Sequence, residues 1–595
     1  MTRPLEILAP GGSVQAAAAA AHAGADAVYM GVGALNARVR AANLDLDELP
    51  SMTGFLHAQG LRLYVTLNLP LTPETLDETL KTLAACYLAG VDAVILRDPW
   101  LAAFAKRHLP KLPLHASTQA GISTPDGARR ARDLGYSRVI LARECTLETM
   151  RAIASAVPDL ELEAFALGSM CFGVSGRCLL GHFVDGRSGN HGHCSQVCRL
   201  EWRAADGRYL GRLFSMKDLN LLPHLALLQD AGICAVKIEG RLKSPAWVAC
   251  AVRRARAALQ RADGTEDASL VADSQILFGR PDGPGYLFGE TSFEALTCPD
   301  QSGHRGLKVP SFDFEEQDWK RYLRFRTPVD LSIRDGLCAL SMEADKGAES
   351  FFSVAELLDA GGHPITVATQ GTEVQVRYNG QKRPAALFIH SSALVEKRHL
   401  AGVPGFVPEK GAAPALVLDA LTLTPETLTF QGQAGRLPFL RTYPLETEAS
   451  RGAGLDPDLA RKHLGLSFSP EATFTLAPGL FARPSLLKDL RRRLLEDLAA
   501  AWPAALGELG LSLTSAATAE GPAYGPTDSD LTKKKPACVS RVTGYPEGLV
   551  QTGGGRKFAI LPHGGGTVVE DCAARGLEPE DLGAPRAPKP GGRNG

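Results

Sequence analysis

Residues 24–31 read GADAVYMG, and the phrase returns as GVDAVILRD at 90–98, LGYSRVILARE at 134–144 and AGICAVKIEG at 231–240. Each copy has a glycine suited to ending a helix, followed by an apolar run with the composition of a strand buried on both faces. Working outward, strands are expected at 5–9, 27–31, 62–68, 93–96, 112–116, 138–142, 161–166 and 235–239. Helical stretches such as 13–23, 73–89 and 124–134 lie between them. Eight strands alternating with helices give a (β/α)8 TIM-like barrel, with a doubly wound sheet as the alternative. No G-x-G-x-x-G follows the first strand to favour a dinucleotide site.

The barrel is expected over 1–300. Beyond it the texture turns antiparallel and α+β: YLRFRTPVDLSI and PITVATQGTEVQVRYNG alternate apolar and polar residues, and an amphipathic helix fits 484–502. This extension is assigned to 301–510, a linker to 511–538, a small β-rich segment to 539–582 and a disordered tail to 583–595.

The chain carries 64 basic and 65 acidic residues, a net charge of -1, so no global basic field announces a nucleic-acid partner; a local patch stays open. Arg491–Arg493 and Lys533–Lys535 are basic clusters that read first as solvated faces. The longest apolar run, 16–21, is too short to span a bilayer, and MTRPLEILAPGGSVQ has no signal core, so a cytoplasmic setting is expected.

Four of the 12 cysteines crowd into one stretch: Cys171, Cys178, Cys194 and Cys198, spaced C-x6-C-x15-C-x3-C. In a reducing compartment, clustered thiols are more often metal ligands or redox groups than disulfides. Structural zinc prefers paired C-x2–4-C knuckles. The wider spacing suits an iron–sulfur cluster, with zinc and thiols packed as small hydrophobes as the alternatives. The loop, taken as 167–199, follows the seventh strand and so lies on the face where barrel enzymes keep their chemistry. Arg177, Arg187 and Arg199 flank the cysteines and could offset a cluster's negative charge.

Other polar residues alternate at strand ends. Lys237, Glu239 and Arg241, with Lys243 beyond, suit an anionic substrate at the barrel mouth; the bland reading is a structural ion network. His115, Ser117 and Gln119 alternate likewise, and Asn36, Arg38 and Asn43 fall in the loop after the second strand. No H-E-x-x-H or G-x-S-x-G motif supports proteolysis.

In order along the chain come LAPGGSVQAAAAAAHAGADAVYMG at 8–31, NARVRAANL at 36–44, LHASTQAG at 114–121 and EAFALGSMCFGVSGRCLLG at 163–181. HGHCSQVCR at 191–199, SMKDLNLL at 215–222 and AVKIEGRLKSP at 235–245 complete the series. With these blocks the chain resembles the peptidase U32 (collagenase-like) family, closest in layout to its long members that hydroxylate ribosomal RNA. YLRFRTPVDLSI and LFARPSLLKDLRRRLLEDL look like the family's extension. The resemblance implies a barrel whose four cysteines hold a [4Fe-4S] cluster and an oxygen-independent hydroxylation of an RNA pyrimidine, in rRNA or tRNA, supported by prephenate. On the reading of the residues themselves, catalysis is assigned to Lys237, Glu239, Arg241, His115 and Gln119, and substrate binding to Arg38, Asn43, Ser117 and Lys243. RNA is the expected partner, with an electron-transfer or cluster-assembly protein beside it and no membrane. Many members read His-Gly-Ala-Leu before the first cysteine, where this chain has Leu167-Gly168-Ser169-Met170. The competing functions are a collagenase-like peptidase and a non-catalytic RNA-binding or assembly protein with a structural cluster.

Overall fold

Eight parallel strands close on themselves: β1 Glu6–Gly11, β2 Ala27–Gly31, β3 Arg62–Leu67, β4 Ala93–Leu96, β5 Leu114–Ala116, β6 Arg138–Ile140, β7 Glu161–Ser169 and β8 Ala235–Ile238. β8 pairs in parallel with both β1 and β7, which completes the barrel. The computed structural model describes residues 4–522, apart from 205, 262–263, 318, 344–345, 446–447 and 450–454. It also describes strands at 538–540, 548–552, 557–563 and 566–571.

All eight expected strands are present, because each apolar run buries both faces: β1, β2 and β8 are buried along their whole length. Several barrel helices begin at a side-chain cap. Ser13, Asp98, Thr124, Thr146 and Ser244 each accept a backbone N–H from the first turn, which starts the helix soon after its strand. The long connections that remain, after β2 and after β7, carry the site.

β7 runs on to Ser169, past the expected end at 166, so Leu167 to Ser169 are strand rather than loop. There they pair antiparallel with Asp218–Asn220. A bulge in the β7–β8 pairing, between Lys237 and Ile238, resets the register beside the mouth. At the opposite end Arg138, 2% exposed, bridges Glu6, Glu161 and Glu163 at 2.9, 2.7 and 3.3 Å. This network joins strand-opening residues from β1, β6 and β7.

Both regions expected to be antiparallel are so. Two four-stranded sheets between 307 and 391 share a core that includes Leu323, Phe325, Val374 and Val376. A further sheet, formed by strands Leu416–Leu423, Thr427–Ala434, Leu437–Pro444 and Ser467–Leu476, packs with helix Pro457–Leu464.

The helix expected over 484–502 continues as Pro484–Glu520, with Pro503 inside it. Residues 511–520, assigned to the linker, are therefore helical. Burial on both sides holds the helix together across the proline. Leu487, Leu490, Leu494 and Leu498 sit in the small sheet's core, whereas Trp502, Leu513 and Ala517 enter the barrel's core. At its end Glu520 pairs with Arg107 and with His108, the latter at 2.6 Å. Lys533–Lys535, with the rest of 523–537, and the tail lie outside the described residues.

A six-stranded sheet joins distant parts of the chain. Strands Trp202–Ala204 and Tyr209–Gly211, just past the cysteine loop, pair through Trp202–Ala204 with Gly548–Thr552, which continues into the strands up to Asp571. Among the described residues no helix is long and apolar enough to cross a membrane.

Candidate active site

At the C-terminal mouth of the barrel a cavity of about 440 Å³ is lined by Cys171, Cys178, Cys194 and Cys198 together. None is in a disulfide; Cys194 is exposed and the other three are half-buried. Burial, followed by the neighbouring Cys178, pushes the Cys171 thiol up to about 11, and burial raises Cys198 further. Among the described residues no three His, Cys, Asp or Glu side chains are grouped to hold a metal ion.

The loop that carries them is tied down at several places. Arg97 Nη2 donates to the Gly176 carbonyl at 3.2 Å, and Asn190 Nδ2 to the Cys178 carbonyl at 3.1 Å. Arg199 Nη1 donates to Met216 O at 2.9 Å and Ser215 Oγ at 3.0 Å. Ser175 donates its hydroxyl to Glu144 Oε2 at 2.8 Å and its N–H to Oε1 at 3.1 Å. Gly168, at φ +114°, lets β7 pass the Glu239 backbone, where any Cβ would overlap that carbonyl.

Facing the thiols, Glu239 holds an arginine on each oxygen: Arg38 Nη2 at 3.2 Å from Oε1 and Arg143 Nη2 at 3.2 Å from Oε2. Burial alone would raise this carboxyl; Arg38, Arg143 and Arg241 outweigh it and hold the group below its ordinary range. A smaller chamber of about 50 Å³ continues inward from there, walled by Tyr29, Ser117, Gln119, Arg143, Lys237 and Glu239 among others. Lys237 Nζ sits 3.1 Å from Glu163 and 4.1 Å from the centre of the Tyr29 ring. Burial lowers its pKa, with Glu163 working the other way.

The residues anticipated from sequence divide into groups. Glu239, Arg38, Gln119 and Lys243 reach the thiol cavity, and Lys237, Ser117 and Arg241 the inner chamber. Arg241, 4% exposed, also donates to Asn36 at 2.6 Å, Asn43 at 2.5 Å and Thr66 at 3.2 Å, so it and Asn43 brace the loop that delivers Arg38. His115 lines neither space. It packs edge-on to Tyr64 in the barrel core, 4% exposed, with Nδ1 unpartnered. Alternation gave the inward direction of His115 correctly but not its depth.

Of the flanking arginines only Arg199 lines the cavity; Arg177 and Arg187 are exposed. The sequence reading missed Arg143, although it stands just past the end of β6 in one of the repeated phrases. It also missed Phe278 and Arg280, which come from beyond the last barrel strand. Leu167 is 4% exposed and paired within β7, away from the cavity wall. Lys243 has its amine against the Phe278 ring, and burial pulls its pKa down to about 7.

Residues 12–296 match the model of peptidase family U32. A collagenase of Porphyromonas gingivalis is 31% identical over 312 residues, covering 48% of this chain and 74% of that protein. This chain belongs to peptidase family U32. Within the family it is also similar to the 23S rRNA 5-hydroxycytidine C2501 synthase of Escherichia coli, 39% identical over 249 residues, 41% of this chain and 37% of that one. The tRNA hydroxylation protein P of Helicobacter pylori J99 is 36% identical over 274 residues, 43% and 64%. The chain thus spans about a third to two-thirds of the length of these two relatives. The U32 match falls on the barrel and contains all four cysteines and both arginines that clamp Glu239.

Proposed function

We propose that this U32 protein hydroxylates a pyrimidine of rRNA or tRNA without molecular oxygen, using a [4Fe-4S] cluster held by Cys171, Cys178, Cys194 and Cys198. The observation that carries the reading is one cavity lined both by four thiols and by an arginine-clamped carboxylate. Two relatives bear names of RNA hydroxylation, which supports the choice of substrate.

The donor set fits a cluster. Four thiols lining one cavity are soft donors suited to iron–sulfur or zinc, and the C-x6-C-x15-C-x3-C spacing favours the larger object. Arg38, Arg143 and Arg199 bring positive charge to the same space. When bound, the cluster supplies electron transfer at the barrel mouth.

The protein's own groups do the positioning. Arg38 and Arg143, fixed on Glu239, present guanidinium edges to phosphate or carboxylate oxygens. The inner chamber, rich in cations, suits a small anionic co-substrate such as prephenate. Lys243, with its pKa near 7, can take or give a proton at neutral pH. Hydroxylation without molecular oxygen breaks a C–H bond and forms a C–O bond to oxygen taken from water, releasing two protons and two electrons, so a co-substrate or an electron-transfer partner must accept the electrons. A cytoplasmic protein with reduced thiols is consistent with this chemistry.

Anaerobic purification with iron, sulfide and visible-spectrum analysis tests the cofactor. About four irons per chain, lost in a Cys171→Ala/Cys194→Ala variant, are expected; stoichiometric zinc without iron would overturn the cluster. Mass spectrometry of rRNA and tRNA nucleosides from a deletion strain tests the substrate. If no hydroxylated pyrimidine disappears, the RNA reading fails. Gelatin hydrolysis that survives loss of all four cysteines would favour the peptidase reading.

A further inference from the structure

Gln196 lies between Cys194 and Cys198 with φ +58° and ψ +37°, in the left-handed region. Among the described residues only Gln196, Trp319 and Arg334 are non-glycine residues with positive φ. Elsewhere in the same loop the left-handed positions belong to Gly176, Gly186 and Gly192. A β-carbon in this conformation crowds the following carbonyl, so glycine is the residue that backbone favours.

The backbone's own task at Gln196 is to accept the Arg199 N–H at 2.8 Å, closing the turn that carries Cys198. Glycine would do that equally well. The retained side chain is exposed and lines the thiol cavity. Its amide finds no hydrogen-bond partner among the described residues. Strain kept at a residue whose side chain faces a site and bonds nothing within the chain points to a role toward a ligand.

The amide has one carbonyl acceptor and two N–H donors, and by rotating it can match the edge of either pyrimidine. The arginines lining the same cavity suit phosphate or carboxylate; Gln196 adds an uncharged group of the kind that reads a base.

We propose that Gln196 is a substrate-binding residue that hydrogen-bonds the edge of the pyrimidine brought to the thiol cavity. The inference rests on the RNA reading above. Full-length protein, reconstituted anaerobically with iron and sulfide, is given total RNA from a deletion strain together with prephenate and the extract of that strain as the source of any electron acceptor, and hydroxylated cytidine and uridine are counted by mass spectrometry. Gln196→Gly should lower kcat/KM about tenfold or more. It should do so with wild-type iron content and an unfolding midpoint at or above wild type, because glycine relieves the strain. Gln196→Glu, an acceptor only, should raise the ratio of cytidine to uridine hydroxylation about tenfold, since a carboxylate accepts from the cytosine amine and repels the uracil carbonyl.

If the wild type modifies RNA and Gln196→Gly matches its rate, this inference falls and the RNA reading stands. A Gln196→Gly variant less stable than wild type would show that the side chain serves the fold, which also overturns it. If the wild type modifies no RNA, both fall.

Discussion

Arg38 Nη2 lies 3.2 Å from Glu239 Oε1, joining the loop after β2 to the residue just past β8. The two come from opposite ends of the barrel sequence and meet because β1 lies between β2 and β8 in the closed sheet. Arg143 takes the other oxygen, so Glu239→Gln leaves two guanidinium groups without their counter-charge. The variant should lose about 2 kcal/mol of stability, read by urea unfolding of the metal-free chain. Its yield of hydroxylated nucleoside should fall about tenfold or more as Arg38 and Arg143 lose their fixed geometry.

Arg241 gives a separate test of the same wall. Its guanidinium ties Asn36, Asn43 and Thr66 together while itself 4% exposed. Arg241→Met removes those bonds and strands their acceptors, at a cost of about 3 kcal/mol. The loop from 34 to 44 should then open to protease. Trypsin cleavage after Arg38 or Arg40, measured under native conditions, should accelerate well beyond that of wild type.

The thiols make loading pH-dependent. With Cys171 raised to about 11 and Cys198 higher, both are neutral at pH 7, and ligation requires thiolates. Anaerobic reconstitution in weak buffer should release protons, visible with a pH dye, and should tighten as pH rises. In the metal-free chain the sign reverses. Between about pH 9 and 11 the unfolded state ionises Cys171 and the folded state does not, so stability falls with rising pH through that window. Cys171→Ser should flatten this slope in denaturation curves.

Lys243 should stand out chemically. With its pKa drawn down to about 7 by burial, its amine is largely neutral at pH 7.5, and that fraction falls as pH drops below 7. Brief acylation of metal-free protein at pH 7.5, followed by peptide mass spectrometry, should label Lys243 ahead of the exposed Lys111. Its own labelling rate should fall only about eightfold between pH 7.5 and pH 6, against about thirtyfold for an ordinary lysine such as Lys111. Equal labelling at both pH values would refute the depressed pKa.

The barrel was legible because four of its strands are apolar runs introduced by a glycine turn and the rest fall at matching intervals between helical stretches, a pattern that survives without tertiary information. The four cysteines were legible for a similar reason, being an unusual composition in one short window. Direction and depth were harder. His115 has the parity of Ser117 and Gln119 but lies a layer deeper, and nothing in a sequence measures depth along a barrel axis. Arg177 and Arg187 adjoin cysteine positions yet face solvent, since a glycine-rich loop turns too freely for adjacency to fix direction. Pro503 read as the far side of a helix end, but the packing of Trp502 and Leu513 into the barrel core carries the helix through it. Phe278 and Arg280 gave no signal, because they reach the cavity from beyond the barrel's eighth strand.

The pairing of Trp202–Ala204 with Gly548–Thr552 has a consequence for the order of synthesis. A nascent chain that has emerged past Cys198 holds all four thiols, yet the edge of the strand beside them has no partner until the distant segment leaves the ribosome. During translation of everything between, that ribbon presents unsatisfied backbone groups next to a reactive cysteine loop, the kind of edge that recruits foreign strands. Completion of the thiol loop and closure of this edge are thus separated in time, and a translating ribosome stalled between them would expose a thiol-rich, half-paired intermediate.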